Sequence, residues 1–197
     1  MASVVDICNY ALLRIGGATI ADLSEGSRAS ELCSIVYEQC RDQLLRAFPW
    51  NFARRVQSLA DTNSPPTNWG YSYAMPSDCV RPLRIVIEGN RLPRVDEKIP
   101  YEVASNGTQR LIYADVESAE LEYTARVDDS NLWDASFINA LSWLIASEIA
   151  TPLTANPDYA KMAREAYTVT LGQAMAQNLN DSFAGVEPDC ELLTGRL

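Results

Sequence analysis

Phe48-Pro49-Trp50-Asn51-Phe52-Ala53-Arg54-Arg55 is the stretch on which the reading of this chain turns. Proline has no N–H and disfavours the α region in the residue before it, so a helix arriving here stops near Phe48. The residues after the proline read as extended, with two large aromatics and two adjacent arginines. Aromatic surface of this size at a helix-to-strand corner marks an anchor, and Trp50 and Phe52 are expected to pin the helices to the strands. Upstream, Ala29, Leu32, Cys33, Val36, Tyr37, Cys40, Leu44 and Leu45 recur at helical spacing and predict a helix from about Ser27 to Ala47. Before it, Val4, Ile7, Cys8, Ala11, Leu12 and Ile15 predict a helix over 4–15. Ser3 with Asp6 resembles a capping box, and Gly16-Gly17 supplies a stop.

Downstream of the corner the period changes. Alternation from Arg54 through Leu59 predicts a strand, and a polar loop over 61–68 holds Pro65-Pro66. Strand candidates come next at 71–75, 83–87, 91–93, 100–104, 110–114 and 119–127. Turn signals at Pro76-Ser77-Asp78, Gly89-Asn90 and Asn106-Gly107 separate them, the last marking a hairpin. Helices return with Leu132 to Thr151, apolar on more than one face through Trp133, Phe137, Leu141, Trp143, Leu144 and Ile149, which predicts burial from more than one side. Pro152 is expected to end that helix. Asn156 as cap and Pro157 in the first turn open the last one, which fades near Asn178. Residues 180–197 break any period yet carry Phe183, Val186, Leu192 and Leu193. The fold class is therefore α+β. An antiparallel helical bundle forms from two sequence-separated helix pairs, 1–48 and 130–179, with an inserted antiparallel β subdomain over 49–129 and an extended C-terminal tail over 180–197.

Composition bounds the chemistry. With 197 residues, 47% of them apolar, the chain suits one domain or two closely packed subdomains around a real core. No apolar run is long enough for a bilayer and the start lacks a signal-peptide pattern, so a soluble protein made in a cytoplasm is expected. The five cysteines (Cys8, Cys33, Cys40, Cys79, Cys190) show no CxxC spacing and read as core residues in a reducing compartment; Cys33 and Cys40 share one helix face. There is no histidine, which removes the commonest general base and metal ligand. Net charge is −10, with six basic and six acidic residues in 1–60, seven against twelve in 61–129, and three against eight in 130–197. That balance argues against a phosphate-gripping nucleic-acid binder. Fourteen of the sixteen basic residues are arginine, whose planar fork suits interface ion pairs; codon bias gives the same count.

Motifs for catalysis are sparse. Gly16-Gly17 and Gly89-Asn90 match neither phosphate-loop pattern, and no serine sits in a GxSxG elbow. Glu120 and Glu122 share a strand face and could hold two carboxylates for glycoside chemistry; the plainer reading is a solvated strand face. Asp128-Asp129-Ser130 reads as turn and helix cap before metal site. Trp50, Phe52, Trp69, Tyr71, Tyr73, Trp133 and Trp143 serve either core and subunit contacts or a ligand-stacking surface. Arg54 and Arg55 are either a solvated strand end or a contact with an acidic neighbour, most simply the next copy of this chain.

Several segments in order resemble one family, the head-to-tail adaptors of short-tailed bacteriophages (tail tubular protein A-like). Asn9-Tyr10-Ala11-Leu12-Leu13-Arg14-Ile15-Gly16 resembles its first helix, and Ile20-Ala21-Asp22-Leu23-Ser24-Glu25-Gly26-Ser27, leading into Ala29, Cys33 and Tyr37, its second. Arg41-Asp42 and Pro49-Trp50-Asn51-Phe52-Ala53 come after these, then Tyr73-Ala74-Met75-Pro76-Ser77-Asp78-Cys79 at the strand entry. Ala140-Leu141-Ser142-Trp143-Leu144-Ile145-Ala146 and Ile149-Ala150-Thr151-Pro152-Leu153-Thr154 resemble the penultimate helix. The resemblance implies a structural virion protein of the tail or neck, assembled in the host cytoplasm. It implies a homo-oligomeric, dodecameric ring that joins the portal protein to the tail tube or nozzle protein, with genomic DNA passing through its lumen during ejection without specific binding. It implies no catalysis, no cofactor, no metal and no membrane contact. Phe183, Val186, Leu192 and Leu193 are then candidates to dock on the portal, so truncation after Asn178 is expected to abolish portal binding and leave the fold intact. The competing readings are another neck or head-completion ring, a tail-associated wall-degrading enzyme using Glu120 and Glu122, and a small-ligand binding module.

Overall fold

A computed structural model describes residues 2–87 and 97–181. The strand candidate at 91–93, the Gly89-Asn90 turn, Cys190 and the tail residues Phe183, Val186, Leu192 and Leu193 lie outside the described residues. Helix α1 runs Val4–Arg14 behind a complete Ser3–Asp6 capping box. Helix α2 runs Arg28–Ala47, with the Ser27 hydroxyl accepting from the Ser30 N–H. At Phe48 the backbone turns extended, φ −146° and ψ 151°, as a residue before proline requires. Ile20 and Asn9 tie the link between these helices down: Asn9 exchanges two hydrogen bonds with the Ile20 backbone, at 2.8 and 2.9 Å.

The segment after Pro49 is not simply extended. Asn51–Ala53 makes one 3-10 turn before strand β1, Arg54–Ser58. The turn is held from outside, because the Asn51 amide donates to the Asn178 carbonyl at 2.7 Å. Beyond β1 lie the strands β2 Ala60–Asp61, β3 Tyr71–Ala74, β4 Cys79–Ile85, β5 Tyr101–Ser105, β6 Arg110–Ala114 and β7 Glu120–Ala125. They form two antiparallel sheets, β1-β7-β4 and β2-β3-β6-β5. Leu59 steps the chain from one sheet to the other. Leu59, Tyr73, Ile85, Ile112, Leu121 and Tyr123 fill the space between them. β4 starts four residues before the expected 83, although it contains Pro82. It is an edge strand with register shifts on both sides of Arg81 and Pro82, and such a strand does not need the missing N–H. Asn106-Gly107 turns β5 into β6 with Gly107 at φ +88°.

Helix α3 runs Ala135–Thr154 and α4 Pro157–Asn180. Two expectations change here. The residues before Ala135 form a separate 3-10 turn, Ser130–Leu132, capped by the Asp129 carboxylate. Pro152 does not end α3 but sits in its last turn, where few intrahelical bonds remain to lose. The Thr154 hydroxyl donates to the Ala150 carbonyl at 2.8 Å, and Ala155 closes the helix in the left-handed region. α3 is the bundle's central helix, packed by α1, α2 and α4, which explains its apolar breadth. No helix among the described residues is long and apolar enough to cross a membrane.

Candidate functional site

The corner builds one end of the bundle core. Trp50 is fully buried and its indole N–H donates to the Leu44 carbonyl at 2.8 Å. Its ring meets Phe48 edge-on at 5.3 Å, Phe52 stacked at 6.2 Å and Phe137 edge-on at 5.1 Å. Trp133 closes the cluster on Phe137 at 5.2 Å. All these ring partners belong to the helical side, so Trp50 and Phe52 fix where β1 departs from the bundle. The sheet itself is fastened by Val80 and Val127, which pack in the bundle core, and by polar groups. Arg46, near the end of α2, donates to the Val80 carbonyl at 2.9 Å, Arg81 donates back to the Arg46 carbonyl at 3.3 Å, and Arg126 pairs with Asp42 at 2.6 Å.

The outer face of β1-β7-β4 carries the largest charge constellation. Register sets it in two rows, Arg54-Thr124-Arg81 and Val56-Glu122-Arg84, since residues opposed across antiparallel strands share a face. Glu122 is buried between its neighbours; Arg54 Nε donates to one carboxylate oxygen at 2.8 Å and Arg84 Nε to the other. Burial by itself raises the Glu122 carboxyl, but the hydrogen bonds from Arg84 and Arg54 outweigh it and hold the group below the usual carboxylate value. The expectation of a solvated strand face therefore fails for Glu122 and holds for Glu120, which is exposed. Two arginines close on an ionised Glu122 leave it no proton to give, so Glu122 is not placed as the raised acid of a glycosidase.

Arg54 and Arg55 thus find acids within their own chain. Arg55 turns to the opposite face and pairs with Asp78 at 2.7 Å. Asp78 also receives the Tyr123 hydroxyl at 3.0 Å, and burial together with Asp78 pushes that phenol up to about 12. Both arginine side chains remain about half exposed, 43% and 52%.

A second constellation lies where β7 leaves the sheet. Arg41, nearly buried on α2, bridges Asp42 at 3.0 Å and Asp128 at 2.7 Å. It borders a cleft of about 450 Å³ lined also by Val4, Leu23, Tyr37 and Arg126. The Tyr37 hydroxyl is buried there without a hydrogen-bond partner, and burial raises it to about 12. Asp128 is thus an ion-pair partner, and the capping expected of 128–130 falls to Asp129 alone.

The aromatics read as either core contacts or a stacking surface are divided between regions. Trp50, Phe52 and Trp133 lie in the bundle core, Trp143 sits under the Arg14 guanidinium at 4.1 Å, and Tyr71 stacks on Tyr73 in the sheet at 6.2 Å. Cys8, Cys33, Cys40 and Cys79 are buried free thiols. Burial pushes Cys40 up to about 12 and Cys79 to about 11, so both stay protonated and inert at neutral pH. Among the described residues no group of three or more His, Cys, Asp or Glu side chains is placed to hold a metal. Arg84 carries no signal of its own in the sequence; only the register of β4 against β7 brings it to Glu122, while Arg81 stands opposite Thr124 and turns to the Arg46 carbonyl. The site as a whole is suited to binding surfaces of opposite charge, through exposed guanidinium edges held on a rigid sheet.

No model of a known protein family and no curated protein matches this chain.

Proposed function

We propose that this chain is a structural virion protein, the adaptor ring that joins a bacteriophage portal to its tail tube or nozzle. The observation that carries the reading is the corner. The segment at the centre of the resemblance to the adaptor family, Pro49 to Ala53, is also the hub on which α2, α3 and the end of α4 converge before the β unit departs. Such a hub sets the angle between a helical layer and a β layer, which is the mechanical need of a part that registers one ring to the next. In that reading copies stand side by side through their bundles, and the lumen passes DNA without gripping it, because an excess of ten negative charges repels phosphate. The tail beyond Asp181 carries the apolar residues Phe183, Val186, Leu192 and Leu193 for the portal. Incubating the full chain with the intact portal of its own virion, then imaging by electron microscopy, is expected to show a collar added to the portal. A chain cut after Asp181 is expected to keep its thermal midpoint and lose the collar. Full-length chain that leaves the portal bare sinks the reading.

A further inference from the structure

Arg46, Arg81 and Arg110 meet where the end of α2, β4 and β6 come together. Arg46, in the last turn of α2, donates to the Val80 carbonyl at 2.9 Å. Arg110, at the start of β6, donates to the neighbouring Cys79 carbonyl at 3.2 Å. Arg81 of β4 donates to the Arg46 carbonyl at 3.3 Å. A bulge makes the meeting possible: the register slips between Cys79 and Arg81, Val80 packs on the bundle core, and two successive carbonyls receive arginines from different elements. The Cys79 thiol feels two of these cations, since burial raises it, Arg110 and Arg46 pull it back, and Asp78 acts against them. The Tyr101 phenol feels the third: burial raises it, Arg81 lowers it, and Cys79 raises it again.

The carboxylates of this neighbourhood are already engaged. Asp42 serves Arg41 and Arg126, Asp78 serves Arg55, and Glu122 serves Arg54 and Arg84. Among the described residues none of Arg46, Arg81 and Arg110 is in an ion pair. Each commits one N–H to a carbonyl and keeps its other donors, and Arg46 and Arg110 are exposed while Arg81 is partly buried. The negative end of the α2 dipole offsets only a fraction of one charge. Three cations drawn to one bulge without a counter-ion stand out on a chain of net charge −10.

We infer that Arg46, Arg81 and Arg110 hold a small phosphate-class oxyanion, which ties the end of α2 to both sheets. The missing counter-ion sets the sign of the ligand, and the number of cations sets its valence. A carboxylate offers a single charge, whereas a phosphate offers more charge and more oxygens to several guanidinium forks at once. The carbonyl contacts hold the three side chains in place beforehand, which lowers the entropy cost of binding. A DNA backbone carries the same chemistry, but the chain's overall charge repels a long polyanion and favours the free ion. This site is independent of the ring reading.

The test titrates inorganic phosphate into the purified full chain by calorimetry, with sodium chloride matching the ionic strength. Saturable binding is expected, together with a rise in thermal midpoint that chloride does not give. Arg81→Gln and Arg110→Gln are each expected to weaken binding about tenfold, and Lys161→Gln on α4 to leave it unchanged. Circular dichroism checks that each variant is folded; Arg110→Gln leaves the Arg46 and Arg81 contacts between bundle and sheet in place. A short DNA duplex at the same ionic strength is expected not to displace the phosphate. Absence of saturable phosphate binding overturns the proposal. So does stabilisation that persists undiminished in Arg110→Gln, which is the mark of general exclusion of phosphate from protein surface. Duplex binding that depends on these arginines, with no binding of the free ion, also overturns it and assigns the cluster to nucleic acid.

Discussion

The bundle and the β unit keep their interiors dry by opposite means. In the bundle, aromatic and aliphatic surface closes on itself: Trp50, Phe52, Phe137 and Trp133 interlock, and the two indole N–H groups are met by backbone carbonyls at Leu44 and Val127. The sheet buries its apolar residues on one face and covers the other with guanidinium groups laid over Glu122. The aromatic hub of the bundle holds no ionisable group; the face over Glu122 depends on ionisation. Stability in the two should therefore respond differently to the same perturbation.

The largest effect is expected from Trp50→Ala. It empties the hub and frees the Leu44 carbonyl, and a buried tryptophan truncated to alanine costs about 3–5 kcal/mol. Urea unfolding should show that loss equally at neutral and mildly acid pH. The Arg54→Ala, Arg84→Ala double variant is expected to cost about 3 kcal/mol at neutral pH, because it removes both charged donors and their cover from Glu122. Its pH dependence separates it from the first. In the native protein Glu122 titrates below its unfolded value, so its contribution is present above the unfolded pKa and is lost as pH falls through the folded one. In the double variant those hydrogen bonds are gone and the carboxyl returns toward its unfolded value, so the deficit shrinks as the medium is acidified. A deficit constant from neutral to acid pH would show that the arginines act by packing. Ser3→Ala is the smallest of the three, about 1 kcal/mol, since it removes the α1 cap from the bundle without touching its core. Hydrogen exchange should localise that change to the first turn of α1.

The same contrast governs what could be read from sequence. Both pairs of helices were legible because their stripes repeat over many residues and their ends carry capping chemistry at Ser3, Ser27 and Asn156. The breadth of α3 also foretold its central position. Polar contacts of the sheet were not legible. Glu122 alternates with Leu121 and Tyr123 as any outward residue does, and its burial comes from Arg54 and Arg84 on two strands distant in sequence. No local pattern encodes that meeting. Pro82 hid the start of β4, because a proline argues against a strand unless the strand is known to lie at an edge. Pro152 misled in the same manner, since its cost depends on how little helix lies beyond it.

The separation of the two helix pairs also orders events in time. α1 and α2 rely on α3 for most of their packing, as when Arg14 reaches the Asn139 carbonyl. On the ribosome the apolar stripes of α1 and α2 therefore emerge first and stay uncovered while the whole β unit is synthesised. The bundle consequently folds with the long loop closures of a β protein, in spite of its helical content. During that interval the nascent chain is open to chaperones and to its siblings on the same message.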